Sequence, residues 1–237
     1  MAFDLRFYQV TCEYRFAPSL DFYPHMHQIG SPFTEDYKHW QTTGLKLNFS
    51  NPKDRSTLAI EHNRLAATID VPAEPEILET RFKRAFKEYQ KSVKIRQFRR
   101  LGVRSLSMVA VDFTFEELLD VMKSKLLPTD QALTRIVGET VKDFTYNSIT
   151  EKDGSTLHVV SGPIQRKEIP RWYQPAAMVS NTAEEMKEIN YPEVALFIDC
   201  DCYKDEANQT VADNFFGAGL KTVLSVPKQL LKHILEQ

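Results

Sequence analysis

Two aspartates one residue apart close an apolar run late in the chain: Glu193-Val-Ala-Leu-Phe-Ile-Asp199-Cys-Asp201-Cys-Tyr203. On a strand, residues two apart share a face. Leu196, Ile198, Cys200 and Cys202 then fall on one side, and Ala195, Phe197, Asp199, Asp201 and Tyr203 on the other. Two carboxylates sharing a face admit two kinds of chemistry. They can hold Mg²⁺ or Mn²⁺ while the ion neutralises a phosphate. Alternatively they line the wet face of an antiparallel sheet, each paired with Lys or Arg on the next strand.

A second candidate is His25-Met-His27, whose spacing lets both imidazoles face one ion if the segment is extended; Glu35 and His39 follow closely. The remaining histidines, His62, His158 and His233, form no second cluster. No cofactor is required by the sequence, and a divalent metal at Asp199/Asp201 or His25/His27 is the one it admits. Lys83, Lys87, Lys91 and Lys94 recur at helical spacing and lead into Arg96, Arg99 and Arg100. Such a stripe is ordinarily a solvated helix back, and Glu79 and Glu88 dilute its field, which disfavours nucleic acid as a partner. Nucleophile-elbow, phosphate-loop, dinucleotide-binding and Cys-x-x-Cys motifs do not occur.

The bulk numbers fit a globular protein. Hydrophobic residues make up 42% and charged residues 26% of 237, with a formal net charge of −2, so no global basicity points to nucleic acid. The odd set Cys12, Cys200 and Cys202 reads as reduced, buried thiols of a cytoplasmic protein. Asp4 and Arg6 follow Met1 too soon for a signal-peptide core, and no apolar run reaches membrane-spanning length.

The elements that must position these residues alternate between two periodicities. Period-two patterns predict strands over 4–16, 45–49, 57–61, 64–69, 98–113 and 194–203, and a hairpin of 141–150 with 156–162 around Lys152-Asp153-Gly154. His62-Asn63 reads as a tight turn. Helical spacing predicts 75–94, with Leu78, Phe82, Ala85, Phe86, Tyr89 and Val93 on one face. A further helix opens at Thr114 with Glu117 in capping-box position, and another covers 211–236 with an interruption at Pro227. A short helix is expected over 182–189. Residues 17–43, broken by prolines and Gly30, read as a long loop rich in rings. The fold class is therefore α+β: mostly antiparallel sheets packed by helices, with a hint of two duplicated halves over 1–127 and 128–237 that can form one domain.

The segment Leu58-Ala-Ile-Glu-His-Asn-Arg64, a helix carrying Phe82 and Tyr89, the stretch Arg100-Leu-Gly-Val-Arg104 and the late Asp199-Cys-Asp201 strand before a long helix together resemble a sporadically distributed, uncharacterised prokaryotic family of about this length. This chain has Ser105 and Ser107 where that family tends to carry an aromatic and an Asn. The resemblance implies no activity; scattered distribution implies an accessory gene in a defence or toxin–antitoxin setting. The expected function is that of a non-catalytic accessory protein working through protein–protein contact or as a homodimer. Phe22, Tyr23, Tyr37, Trp40, Arg99, Arg100 and Arg104 form the candidate interaction surface. A metal-dependent hydrolase or phosphoryl-transfer enzyme is the alternative.

Overall fold

A computed structural model describes residues 7–71, 75–127, 141–174, 176 and 190–236. Nine strands, all paired antiparallel, form one sheet among these residues. In chain order they are β1 (Phe7–Phe16), β2 (His39–Thr43), β3 (Lys46–Asn51), β4 (Ser56–Glu61), β5 (Arg64–Val71), β6 (Phe98–Ala110), β7 (Tyr146–Lys152), β8 (Ser155–Gln165) and β9 (Val194–Ala207). The helices are α1 (Phe22–Gly30), α2 (Pro75–Ser92), α3 (Phe115–Leu126), the single turn α4 (Ile169–Trp172) and α5 (Gln209–Leu235). This is the α+β class expected from the patterning.

The strands lie in the order β2-β3-β4-β5-β1-β6-β9-β8-β7. Each half runs strand, helix, antiparallel meander, helix, and returns its last strand beside its first: β5 pairs with β1, and β9 with β6. The two first strands then pair with each other at the centre of the sheet. In this repeat of connectivity the run from β1 to α2 corresponds to the run from β6 to α5. The expected helix over 182–189 lies outside the described residues, as do the first residues of the second half expected from 128.

Alternation decides which face is covered. Val10, Cys12, Tyr14 and Phe16 of β1, Leu101 and Val103 of β6, and Leu196, Ile198, Cys200 and Cys202 of β9 are all buried in the main core. The predicted face of α2 packs there too, with Leu78, Phe82, Ala85, Phe86, Tyr89 and Val93 buried. Tyr14 sits at the hub: its ring meets Phe82, Phe86 and Phe98 edge-on at 4.8, 5.2 and 5.5 Å, and its hydroxyl donates to the Ala212 carbonyl at 2.8 Å. Parity alone would put Phe98 on the same face as Arg100. A bulge prevents this: Phe16 pairs with Phe98 and Arg15 with Arg100, so Arg99 is skipped and Phe98 turns into the core.

Several local expectations hold. Thr114 caps α3 through the full reciprocal pattern with Glu117, and Asp153 and Gly154, both with positive φ, close the β7–β8 hairpin. Two do not. Residues 17–43 are not a loop: they form α1, a 3₁₀ turn (Ser31–Phe33) and β2. Pro24 and Pro32 stand in first turns, where a missing N–H costs nothing. The 3.6-residue pattern there is hidden because only Phe22, Ile29 and Gly30 of α1 are buried.

Pro227 does not interrupt its helix either; α5 runs unbroken from Gln209 to Leu235. Proline has no N–H for the carbonyl four residues back, that of Val223. In its place the buried Ser105 hydroxyl of β6 donates to the Val223 oxygen at 2.8 Å. Gly219, one turn earlier, lets α5 approach the sheet: a β-carbon there would stand 3.1 Å from Val103 Cγ2. No helix among the described residues is long and apolar enough to cross a membrane.

Ser105→Ala should therefore destabilise the protein by about 1–3 kcal/mol, because it strands a buried carbonyl. In a Pro227→Ala background, where the helix regains its own donor, the same substitution should cost measurably less. A double-mutant cycle by urea denaturation reads the coupling.

Candidate functional site

The face of the sheet opposite the long helices is polar and half-buried. From β3 to β9 it carries Lys46, Asn48 and Ser50; Thr57, Ala59 and Glu61; Arg64, Ala66, Thr68 and Asp70; Gln9, Thr11, Glu13 and Arg15; Arg100, Gly102 and Arg104; and Asp199, Asp201 and Tyr203. One end of it is capped by a small apolar cluster, in which α4 and its neighbours bring Ile169, Tyr173 and Tyr191 onto Leu106, Met108, Ile164, Ala195 and Phe197. Trp172 stacks on Phe197 at 5.1 Å.

Asp199 and Asp201 lie on this face, as their parity requires, and each meets an arginine of β6. Arg104 Nε and Nη2 donate to the two Asp199 oxygens at 2.7 and 2.6 Å. Arg100 Nη2 donates to Asp201 Oδ2 at 2.8 Å, and its guanidinium lies 3.7 Å from the centre of the Tyr203 ring. The arrangement matches the ion-paired sheet face. Burial raises the Asp201 carboxyl above its ordinary range, and Arg100 and Arg104 oppose that shift. Further along, Glu13 accepts from Arg15 at 2.5 Å and from Arg64, while Lys46 and Arg64 each reach Glu61 at 3.5 Å. Among the described residues no group of three or more His, Cys, Asp and Glu is gathered for a metal ion.

His25 and His27 stand on α1, where residues two apart point to different sides, so the extended geometry that would aim both at one ion is not formed. His25 Nδ1 instead bonds the Asp21 carbonyl at 2.8 Å. Cys12, Cys200 and Cys202 are free and buried; burial pushes the Cys202 thiol up to about 11 and the Cys200 thiol up to about 12.

The aromatic surface divides. Phe22 (0% exposed) and Tyr37 (1%) are interior residues and leave the candidate surface: Phe22 stacks on Tyr89, and Tyr37 packs on Phe49 beneath Arg81. Tyr23 (46%) and Trp40 (58%) are at the surface. Of the three arginines, Arg99 is exposed in the bulge, whereas Arg100 and Arg104 belong to the ion pairs above.

A groove of about 690 Å³ lies at the β2 edge. Its floor is paved with small residues, Ala59 and Ala66 with Thr57 and Thr68, and Trp40 lies on its rim. Lys38, His39, Gln41, Asn48, Ser50 and Thr57 also line it, and none of these has a side-chain partner among the described residues. Ala176 closes the far wall, and its position is fixed by Asp70. That buried carboxylate accepts from the Ala176 N–H and from Gln9 Nε2, each at 2.9 Å, and from Tyr173, while Gln9 also donates to the Gln174 carbonyl at 2.9 Å. The groove could not be read from sequence, because four strands and a crossing segment supply its walls; the alternation of small and polar residues in β3 to β5 was the available signal.

The chain matches no family model, and no similar protein is found among curated proteins or solved structures.

Burial raises the Asp70 carboxyl above the ordinary carboxylate range, despite its hydrogen bonds. A carboxyl raised in the folded state favours folding when protonated, so its contribution is full below the unfolded value and is lost as pH rises through the folded one. Asp70→Asn removes that titration. The stability of the native protein relative to Asp70→Asn should therefore increase as pH is lowered from 7 towards 4, measured by denaturant melts at each pH.

Proposed function

We propose that the protein is a non-catalytic accessory protein that acts through protein–protein contact, with the groove beside β2 as its contact surface. The observation that carries this reading is the set of six polar side chains around the groove, all without side-chain partners among the described residues, next to an edge strand whose five residues are exposed. An edge strand offers unpaired backbone donors and acceptors to an added strand. The small-residue floor leaves room for that segment's side chains, and exposed Trp40 supplies an anchor of the kind enriched at interfaces.

Charge supports a protein rather than a nucleic-acid partner. The arginines of the sheet face are already matched by Glu13, Glu61, Asp199 and Asp201, so the face offers no uncompensated positive field for a phosphate backbone. The alternative of metal-dependent hydrolysis would need Arg100 and Arg104 to release both aspartates. Three buried thiols suit a reducing compartment such as the cytoplasm, and the family resemblance adds a defence or toxin–antitoxin setting.

Filling the groove should block the contact. In quantitative affinity capture from the native host, Ala59→Arg should lower recovery of the specific partner by about tenfold or more, with an unchanged melting temperature. Equal recovery by the native protein and the variant would count against the groove.

A further inference from the structure

The two halves do not end alike. Beyond β1 the sheet continues through β5, β4 and β3 to β2; beyond β6 it continues only through β9 and β8 to β7. In the order of the repeat β7 therefore occupies the place of β3, and the outer position that β2 fills in the first half has no counterpart beside it among the described strands. Among the described strands the edge at β7 is seven residues long, and Ile149 at its midpoint is 64% exposed. An edge with an exposed β-branched residue at its centre and no proline is open to strand addition there, while the one lysine, Lys152, stands at its end on the same side as Ser148 and Thr150.

We propose that the occupant of this edge is a second copy of the chain, paired β7 to β7 in antiparallel register about Ile149. The residues of β7 complement themselves in that register. Tyr146 opposes Lys152, so an ammonium meets a ring. Asn147 opposes Glu151; His158 Nε2 lies 2.9 Å from Asn147 Oδ1, which leaves the amide nitrogen to donate to the carboxylate across the interface. Ser148 opposes Thr150, and the two Ile149 side chains cover each other at the dyad. No like charges face one another, and such opposed pairs are the stabilising unit of a sheet.

Neighbouring registers do worse. Moving the dyad to Glu151 sets two carboxylates face to face, and moving it to Thr150 opposes Glu151 to Ile149. The Ile149 register also pairs residues of equal parity, so the helices of both copies stay on one side and the polar faces stay on the other. Centred on its middle residue Gln41, the β2 edge would oppose Trp40 to Thr42 and His39 to Thr43, with no matched charge or apolar pair.

Self-association through β7 does not involve the groove, so the two readings fail separately. The test is sedimentation velocity on the full chain up to high micromolar concentration, the range suited to a small interface. The native protein should dimerise, and Ile149→Lys, which opposes two ammonium groups at an exposed site, should sediment as a folded monomer. Ile149→Cys should give a disulfide-linked dimer under mild oxidation, since the native cysteines are buried. A native protein monomeric at every concentration overturns the proposal. So does a dimer that survives Ile149→Lys, or one in which Ile149→Cys fails to cross-link.

Discussion

The pairing of β1 with β6 is the constraint on which the rest of the molecule depends. It runs from Phe7 opposite Met108 to Phe16 opposite Phe98 and joins two meanders into one sheet. Because strand parity is conserved across the ladder, the apolar faces of both halves come to the same side. Val10, Cys12 and Tyr14 continue into Leu101 and Val103, and these into Cys200 and Cys202. Neither half could bury such a face alone; together they offer a floor on which α2 and α5 meet, with Phe82 stacked on Phe216 at 5.3 Å. A shift of one residue in this register would turn the core outward and the arginines inward.

Coverage of one face leaves the other to be satisfied by its own side chains. Its charges do this in pairs across neighbouring strands, Arg104 with Asp199, Arg100 with Asp201 and Arg64 with Glu13. Exposed ion pairs contribute little individually, but here they keep charged side chains acceptable on a half-buried surface. Where the face is most apolar, α4 and its neighbours cover it; where it is paved with alanine and threonine, it stays open as the groove. The buried Asp70 stands at the boundary and ties the crossing segment to the sheet.

The legible part of the sequence was whatever is governed by a single period. The face assignments of β1, β9 and α2, the capping box at Thr114 and the tight turns at His62-Asn63 and Asp153-Gly154 all follow from local spacing, and the structure has them. Residues 17–43 misled because α1 buries only a narrow stripe, and because prolines in first turns look like breaks. Pro227 misled because its consequence depends on a donor more than a hundred residues away, Ser105. The histidine pair misled because its usefulness rested on an extended backbone that α1 does not have.

The sequence by itself determined the α+β class, the inward faces and the placing of Asp199 and Asp201 on the outward one, since side-chain direction is set by backbone periodicity. Only the tertiary structure decided what those outward residues meet: that Arg100 and Arg104 take the aspartates, that Phe22 and Tyr37 lie inside, that Asp70 anchors a distant segment, and that β2 and β7 are the outermost of the described strands. Each of these depends on strand order and register between remote segments. They are fixed by which apolar faces can be buried together, and no local spacing encodes that.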